Sequence, residues 1–296
     1  MKSPAVQAAV FALGTAAFVA LSSLAAKIAQ SEWLGPPLHV FQVAHARFLF
    51  AALGLALAAV VLRPTFGEVH WRWHFARTSC GFVGVTLLFA SVVFIPLADA
   101  TAIAFLNPVF AMLFAAPLLR ERIGPWRTAA AVIGLTGALV LARPSPEAFQ
   151  PAALLALAAA MAFGMEAIFV KRLSGREAPF QILTVNNAIG VCLASVALIP
   201  FAVMPTGGQW LALAGVGFAM VLAQACFIQA MRRADATYVV PFSYATLIFA
   251  AVLDAMVFAA LPDGVTVLGA AVILTGAGLL VWREGRRKEV ARDITH

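Results

Sequence analysis

Long apolar stretches alternate with short polar breaks along the whole chain. Ten stretches approach the roughly 20 residues needed to cross a hydrocarbon core: 7–29, 38–62, 74–94, 98–119, 126–142, 151–170, 180–203, 209–230, 236–260 and 265–282. The breaks carry Gly35-Pro36-Pro37, Arg63-Pro64, Gly124-Pro125, Arg143-Pro144 and Pro205-Thr206-Gly207-Gly208, residues that end helices and turn the chain. No soluble domain fits between any two stretches. The predicted class is all-α integral membrane, with ten transmembrane helices. The first stretch, after Lys2, is longer than a signal-peptide core and reads as an uncleaved span.

One short string occurs twice. Asp99-Ala100-Thr101 and Asp235-Ala236-Thr237 each open an apolar run, and each run is followed at a similar distance by Thr136-Gly137-Ala138 or Thr275-Gly276-Ala277. The chain therefore divides into two repeats, 7–142 and 151–282, followed by a cytoplasmic tail, 283–296. Five spans per repeat is an odd number, so the second copy enters the membrane from the opposite side. Two inverted five-helix repeats suit alternating access, in which nearly equal halves exchange conformations about the midplane.

Charge supports this topology. Composition is 63% hydrophobic and 11% charged with mean hydropathy +0.95, beyond what a soluble chain of 296 residues can bury. With the N-terminus inside, the breaks on the cytoplasmic side hold 17 of the 20 Lys and Arg, including Arg63, Arg72 and Arg77, Arg120, Arg122 and Arg127, and Lys171, Arg172 and Arg176. Lys27 and Arg143 fall toward the outside, and Arg47 lies within a span. This is the positive-inside pattern, with both termini cytoplasmic. A basic pI of about 10 then reflects topology and not nucleic-acid binding. Trp33, Trp71, Trp73, Trp126, Trp210 and Trp282 sit at span ends, as an aromatic belt does. Cys80, Cys192 and Cys226 fall inside spans and suggest neither a disulfide framework nor a metal site.

Leu97-Ala98-Asp99-Ala100-Thr101-Ala102, Asn107-Pro108-Val109-Phe110 and Leu118-Leu119-Arg120-Glu121-Arg122-Ile123 resemble the EamA repeat of the drug/metabolite transporter superfamily. So do Ala234-Asp235-Ala236-Thr237, Pro241-Phe242 and Leu261-Pro262-Asp263 in the second half. The resemblance covers nearly the whole chain and implies a ten-helix metabolite carrier of the bacterial inner membrane. Members of that family move amino acids, vitamins such as riboflavin, and S-adenosylmethionine. One departure is Ala260, which stands where Glu121 closes the fourth span of the first copy. Glu121, between Arg120 and Arg122, reads as an interfacial ion-pair residue.

Charged residues inside spans need an account. Arg47 is mid-span, either paired to an acid of another helix or touching substrate. Glu166 lies about one turn from Lys171, as an interfacial pair or a coupling group. Asp254 is a candidate proton-coupling carboxylate or a partner of Arg47 or Lys27. His39, Gln42 and His45 form one stripe on the second span. Arg47 points some 160° from His45, so one of the two faces looks away from the cavity. The stripe contacts substrate or lines a wet entrance. Helix breakers occupy matching places in the two halves, Asn107-Pro108 in the fourth span and Pro241 with Ser243 and Tyr244 in the ninth, and mark these helices as neighbours of the substrate path, or simply kinked. Asn186, Asn187, Gln224, Gln229 and Tyr238 supply hydrogen bonds to substrate or between helices. Ala130, Gly134 and Ala138 in the fifth span, with Gly269, Gly276 and Gly278 in the tenth, read as scaffold packing. The two Asp residues of the doubled string sit at helix starts and read as caps.

No nucleotide-binding loop, zinc pattern or nucleophile with a base is present, so no cofactor or metal is expected, and the absent ATP site points to a secondary carrier. The partners expected are a small-molecule substrate and membrane lipid. Amides, Phe and nearly balanced intramembrane charge suit a neutral or zwitterionic metabolite, with riboflavin the best single candidate. Export of amino acids or a metallophore, or uptake of S-adenosylmethionine, is the alternative. A membrane-embedded enzyme or receptor would cluster its chemistry at one face, which this sequence does not. Direction of transport, coupling ion and oligomeric state have no signature in the pattern.

Overall fold

The computed structural model describes residues 4–92, 94–95, 97–142, 144, 151, 153–258 and 263–293, and no strand occurs among them. Arg143 and Ala260 lie outside these residues. The first half comprises α1 (Pro4–Ala29), α2 (Val40–Leu62), α3 (Trp71–Val92), α4 (Leu97–Ala104), α5 (Asn107–Leu119) and α6 (Pro125–Ala142). The second comprises α7 (Ala153–Ser174), α8 (Pro179–Leu198), α9 (Gly207–Arg233), α10 (Ala236–Val239), α11 (Ala245–Phe258) and α12 (Gly264–Asp293). Among the described residues seven helices are long and apolar enough to cross a membrane, namely α1, α2, α7, α8, α9, α12 and the α10–α11 segment. The stretches expected as spans three, four and five are also helical, as α3, the interrupted pair α4–α5, and α6.

Helix ends follow from local chemistry. Arg63 and Arg120 close α2 and α5 in the left-handed region, each donating its backbone N–H to a carbonyl of the last turns. Thr206 and Gln209 form a capping box at the start of α9. The same two side chains bind the preceding half: Thr206 Oγ1 donates to Leu34 O and Gln209 Nε2 to Pro36 O. Gly35 fits this crossing because its φ is +140° and a Cβ there would lie 2.8 Å from Thr206 Cγ2.

Packing relates the halves reciprocally. The first helix of one half packs on the third of the other, as α1 on α9 and α7 on α3, while α2 meets α8 and α6 meets α12. The α6–α12 seam is backbone to backbone. A Cβ on Gly137 would lie 2.8 Å from Gly269 O, and one on Gly276 would lie 2.9 Å from Ala130 O. Gly278, by contrast, faces open space. The outer surface keeps large apolar side chains such as Leu57, Val61, Val196, Leu211 and Met256 exposed, as lipid requires. Cys80, Cys192 and Cys226 are free thiols.

Candidate functional site

A cavity of about 460 Å³ opens among the first three helices of both halves, α1–α3 and α7–α9. On α2 the residues that face it are Val40, Phe41, Val43, Ala44, Arg47 and Phe48, which recur at helical spacing. Thr78 and Gly81 face it from α3, Glu166 from α7, Asn186 from α8 and Gln224 from α9. Phe41, Phe48, Phe82 and Phe163 supply aromatic surface. Most of the wall is apolar, with a few polar groups converging on it, which is the usual make-up of a small-molecule site.

Charge enters this cavity from both halves. Arg77 Nε lies 3.8 Å from Glu166 Oε1, with the arginine side chain 3% exposed and the glutamate 30%. Arg47, its guanidinium 4.2 Å over the Phe48 ring, also interacts electrostatically with Glu166. Glu166 reaches α3 because Gly81 has no side chain, and a Cβ there would lie 3.0 Å from Glu166 Oε2. Thr78 Oγ1 donates to Asn186 Oδ1, and Asn187 Nδ2 donates to Gln224 Oε1.

Beyond the Arg77 level the bundle is closed by a buried polar cluster. The fully buried Glu177 carboxylate, in the α7–α8 turn, accepts from His70 N and Gln181 Nε2 and pairs with His70 Nδ1 and His74 Nε2 at 3.0 and 2.9 Å. Gln181 in turn accepts from Gly67 N and donates to Glu68 O. Burial alone would raise the Glu177 pKa, but the hydrogen bonds from His74 and His70 outweigh it and hold the carboxyl below its ordinary value.

Residues 6–143 and 150–282 each match the EamA-like transporter family. The chain belongs to that family. A riboflavin transporter of Vibrio cholerae is 28% identical over 80% of this chain and 80% of its own length. An S-adenosylmethionine uptake transporter of Rickettsia bellii is 26% identical over 93% of this chain and 94% of its own. A solved crystal structure, 25% identical, superposes with a TM-score of 0.77 over 90% of this chain and 95% of that one. The protein is thus a multi-pass membrane transporter of a small molecule and not an enzyme.

In this EamA transporter the residues singled out by sequence divide between cavity and scaffold. Arg47, Glu166, Asn186 and Gln224 face the cavity. His45 does not: its Nε2 lies 3.1 Å from Ser195 Oγ at the α2–α8 contact. His39 stacks on Phe201, and Gln42 bonds the backbone of Val203, so the whole stripe is spent on helix and loop contacts. Asn187 is buried behind Asn186 and holds Leu183 O and Gln224. Asn107 Nδ2 caps Ala104 O at the α4–α5 break, with Pro108 opening the new helix. Pro241 lies in a 3-10 turn, Val240–Tyr244, that interrupts the matching segment. These two broken helices pack on each other, away from the cavity wall. Tyr238 packs on Phe242 and donates to Ala5 O, and Tyr244 is buried against Gly134. Gln229 accepts from Arg233.

Two charge pairings differ from the sequence expectation, those of Glu166 and Glu121, and that of Asp254 falls on one of its alternatives. Glu166 pairs with Arg77, and Lys171 donates instead to Met231 O and Ala234 O at the end of α9. Asp254 pairs with Lys27 at 3.0 Å in a half-exposed position, remote from Arg47. Glu121 accepts from Ala236 N, Thr237 N and Thr237 Oγ1. It therefore caps α10, while Asp235, at the N-cap position, makes no cap bond and pairs with Arg127 at 2.9 Å. Arg77 is the buried cation beside Glu166 that loop-charge counting placed in a cytoplasmic break. Its position, six residues into α3, was the available signal, because that depth is beyond what an interface residue needs.

Proposed function

We propose that this transporter is a secondary carrier of the bacterial inner membrane with ten spans in two inverted repeats and both termini cytoplasmic. It moves a flat, neutral or zwitterionic metabolite with hydrogen-bonding edges, riboflavin being the best candidate. The observation that carries this reading is the make-up of the cavity. Four Phe rings offer stacking faces, and Thr78, Asn186 and Gln224 offer donors and acceptors within reach of a ring edge. Arg47 on the wall and Arg77 buried beside Glu166 outnumber that one carboxylate, which favours carbonyl acceptors on the substrate and disfavours a cation such as S-adenosylmethionine. Export of an amino acid or metallophore is the second reading, supported by the same charged trio, which suits a zwitterion.

Gln30 and Val40 place the cavity at the end of α1 and the start of α2, where loop charges assign the periplasm. The Glu177 cluster then closes the cytoplasmic end, so this conformation is read as outward-facing. Alternating access requires that cluster to part while the periplasmic mouth of the cavity closes. The test is uptake of radiolabelled riboflavin into proteoliposomes of the purified chain. Saturable uptake, abolished by excess unlabelled riboflavin, is expected. Saturable uptake of another solute with none of riboflavin would overturn the flavin assignment.

A further inference from the structure

Arg77 breaks a general rule. Buried polar groups are almost always hydrogen-bonded, yet its Nε and Nη1 are buried with no hydrogen-bond partner. Its nearest acceptor, Glu166 Oε1 at 3.8 Å, is too far for a hydrogen bond. A guanidinium carries five donors and cannot shed its charge, so Arg77 is held in place with unmet demand. Arg47 adds a second guanidinium to the same carboxylate. Two cations, Arg47 on the cavity wall and Arg77 buried next to the wall residue Thr78, therefore share one anion, Glu166.

We infer that Arg77 is the specificity-determining residue of the transporter: it binds an acceptor group of the substrate, a carboxylate or a ring carbonyl edge, which takes the place of Glu166 against it. Arg77 stands one turn before Gly81, and Gly81 and its neighbour Thr78 line the cavity, so a substrate seated there lies along the path that the Glu166 carboxylate occupies. A loose pair exchanges for a better acceptor at low cost, because no well-formed hydrogen bond is broken. Arg77 belongs to the first half and Glu166 to the second. Substrate binding thus removes a tie between α3 and α7, and it does so only when cargo is present. Occupancy is linked in this way to the movement of the halves.

The inference rests on the transporter reading but not on flavin as cargo. A thermal-shift panel of anionic, neutral and cationic metabolites on the purified chain first finds which solutes stabilise it, with riboflavin included. Uptake of the stabilising solute is then measured for R77K, R77Q, E166Q and R77Q/E166Q. R77K should raise KM roughly tenfold or more, the loss of a charge-assisted bond, with kcat little changed. E166Q should lower KM, because the competitor is weakened, and also lower kcat. A phenazine, a ring of similar size without carbonyls, should bind the wild type weakly and be indifferent to R77K. Where R77Q does not fold, R77Q/E166Q removes both charges together and should show the same raised KM. Unchanged KM in R77K, equal loss of both ring probes, or stabilisation by cations alone would overturn the inference. A panel hit other than riboflavin that loses affinity in R77K would sink the flavin reading and leave Arg77 in its role. No stabilising solute at all would overturn both.

Discussion

Glu121, in the turn after α5, does for α10 what Asp235 was expected to do for itself. The helix start at Ala236 presents free N–H groups and a partial positive charge, and a carboxylate from another helix satisfies both as well as a local cap does. Sequence spacing cannot reveal this, since the two residues are more than a hundred positions apart. Glu121→Ala should therefore destabilise the protein by about 2 kcal/mol, and Asp235→Ala by less, measured by thermal unfolding in detergent. Equal losses would return the cap to Asp235. The α2 residues give a second residue-scale contrast. Periodicity correctly required that His45 and Arg47 face different ways, but it could not say which of the two met the cavity. His45→Ala should leave substrate KM where it is, because that side chain is turned to Ser195. A raised KM on this substitution would place the stripe at the site after all.

At the scale of elements, the breaks at Pro108 and Pro241 were legible and their purpose was not. Asn107 occupies the carbonyl freed at one break, a 3-10 turn takes up the other, and neither break lines the cavity. The small-residue stripes of the fifth and tenth spans were also legible, because close backbone approach needs Gly and Ala whatever the surroundings. Gly137→Val should cost about 1–3 kcal/mol by overpacking against Gly269 and Ile273, whereas Gly278→Val, which meets nothing, should be nearly neutral. Both are read from unfolding temperature. The Glu177 cluster, which ties the α2–α3 loop to the α7–α8 turn, was invisible in sequence because no motif links His70, His74 and Glu177. Its carboxyl titrates below its unfolded value of about 4.3, so its contribution is complete above that value and lost as pH falls through the lower folded one. Acidification from pH 6 to 3 should therefore narrow the gap in unfolding temperature between wild type and Glu177→Gln. A gap that widens with acid would contradict the sign.

For the molecule as a whole, hydropathy gave the membrane class and the doubled string gave the repeat, while the cavity stayed hidden. Lipid-facing and cavity-facing walls are both mostly apolar, so helical periodicity does not separate them. Only folding shows that the first three helices of each half enclose the space and that the last helices brace it. The proposed topology is open to a direct measurement. Green fluorescent protein fused after Arg233 or at the C-terminus should fluoresce, and alkaline phosphatase fused after Trp33 or Pro205 should be active. Reversed signals at any one site would change the span count.

The capping of α10 by Glu121 also bears on how the two halves depend on each other. The first half lends a carboxylate to the second, and at the corresponding place the second half has only Ala260 to offer in return. The trade runs one way, so the halves have ceased to be interchangeable parts. A chain made of two second halves would have two such helix starts and no Glu121 for either. A chain made of two first halves would carry the carboxylate twice and the Ala236–Thr237 start not at all. Fragments expressed separately should assemble only as the mixed pair, with Glu121 deciding which piece accepts which.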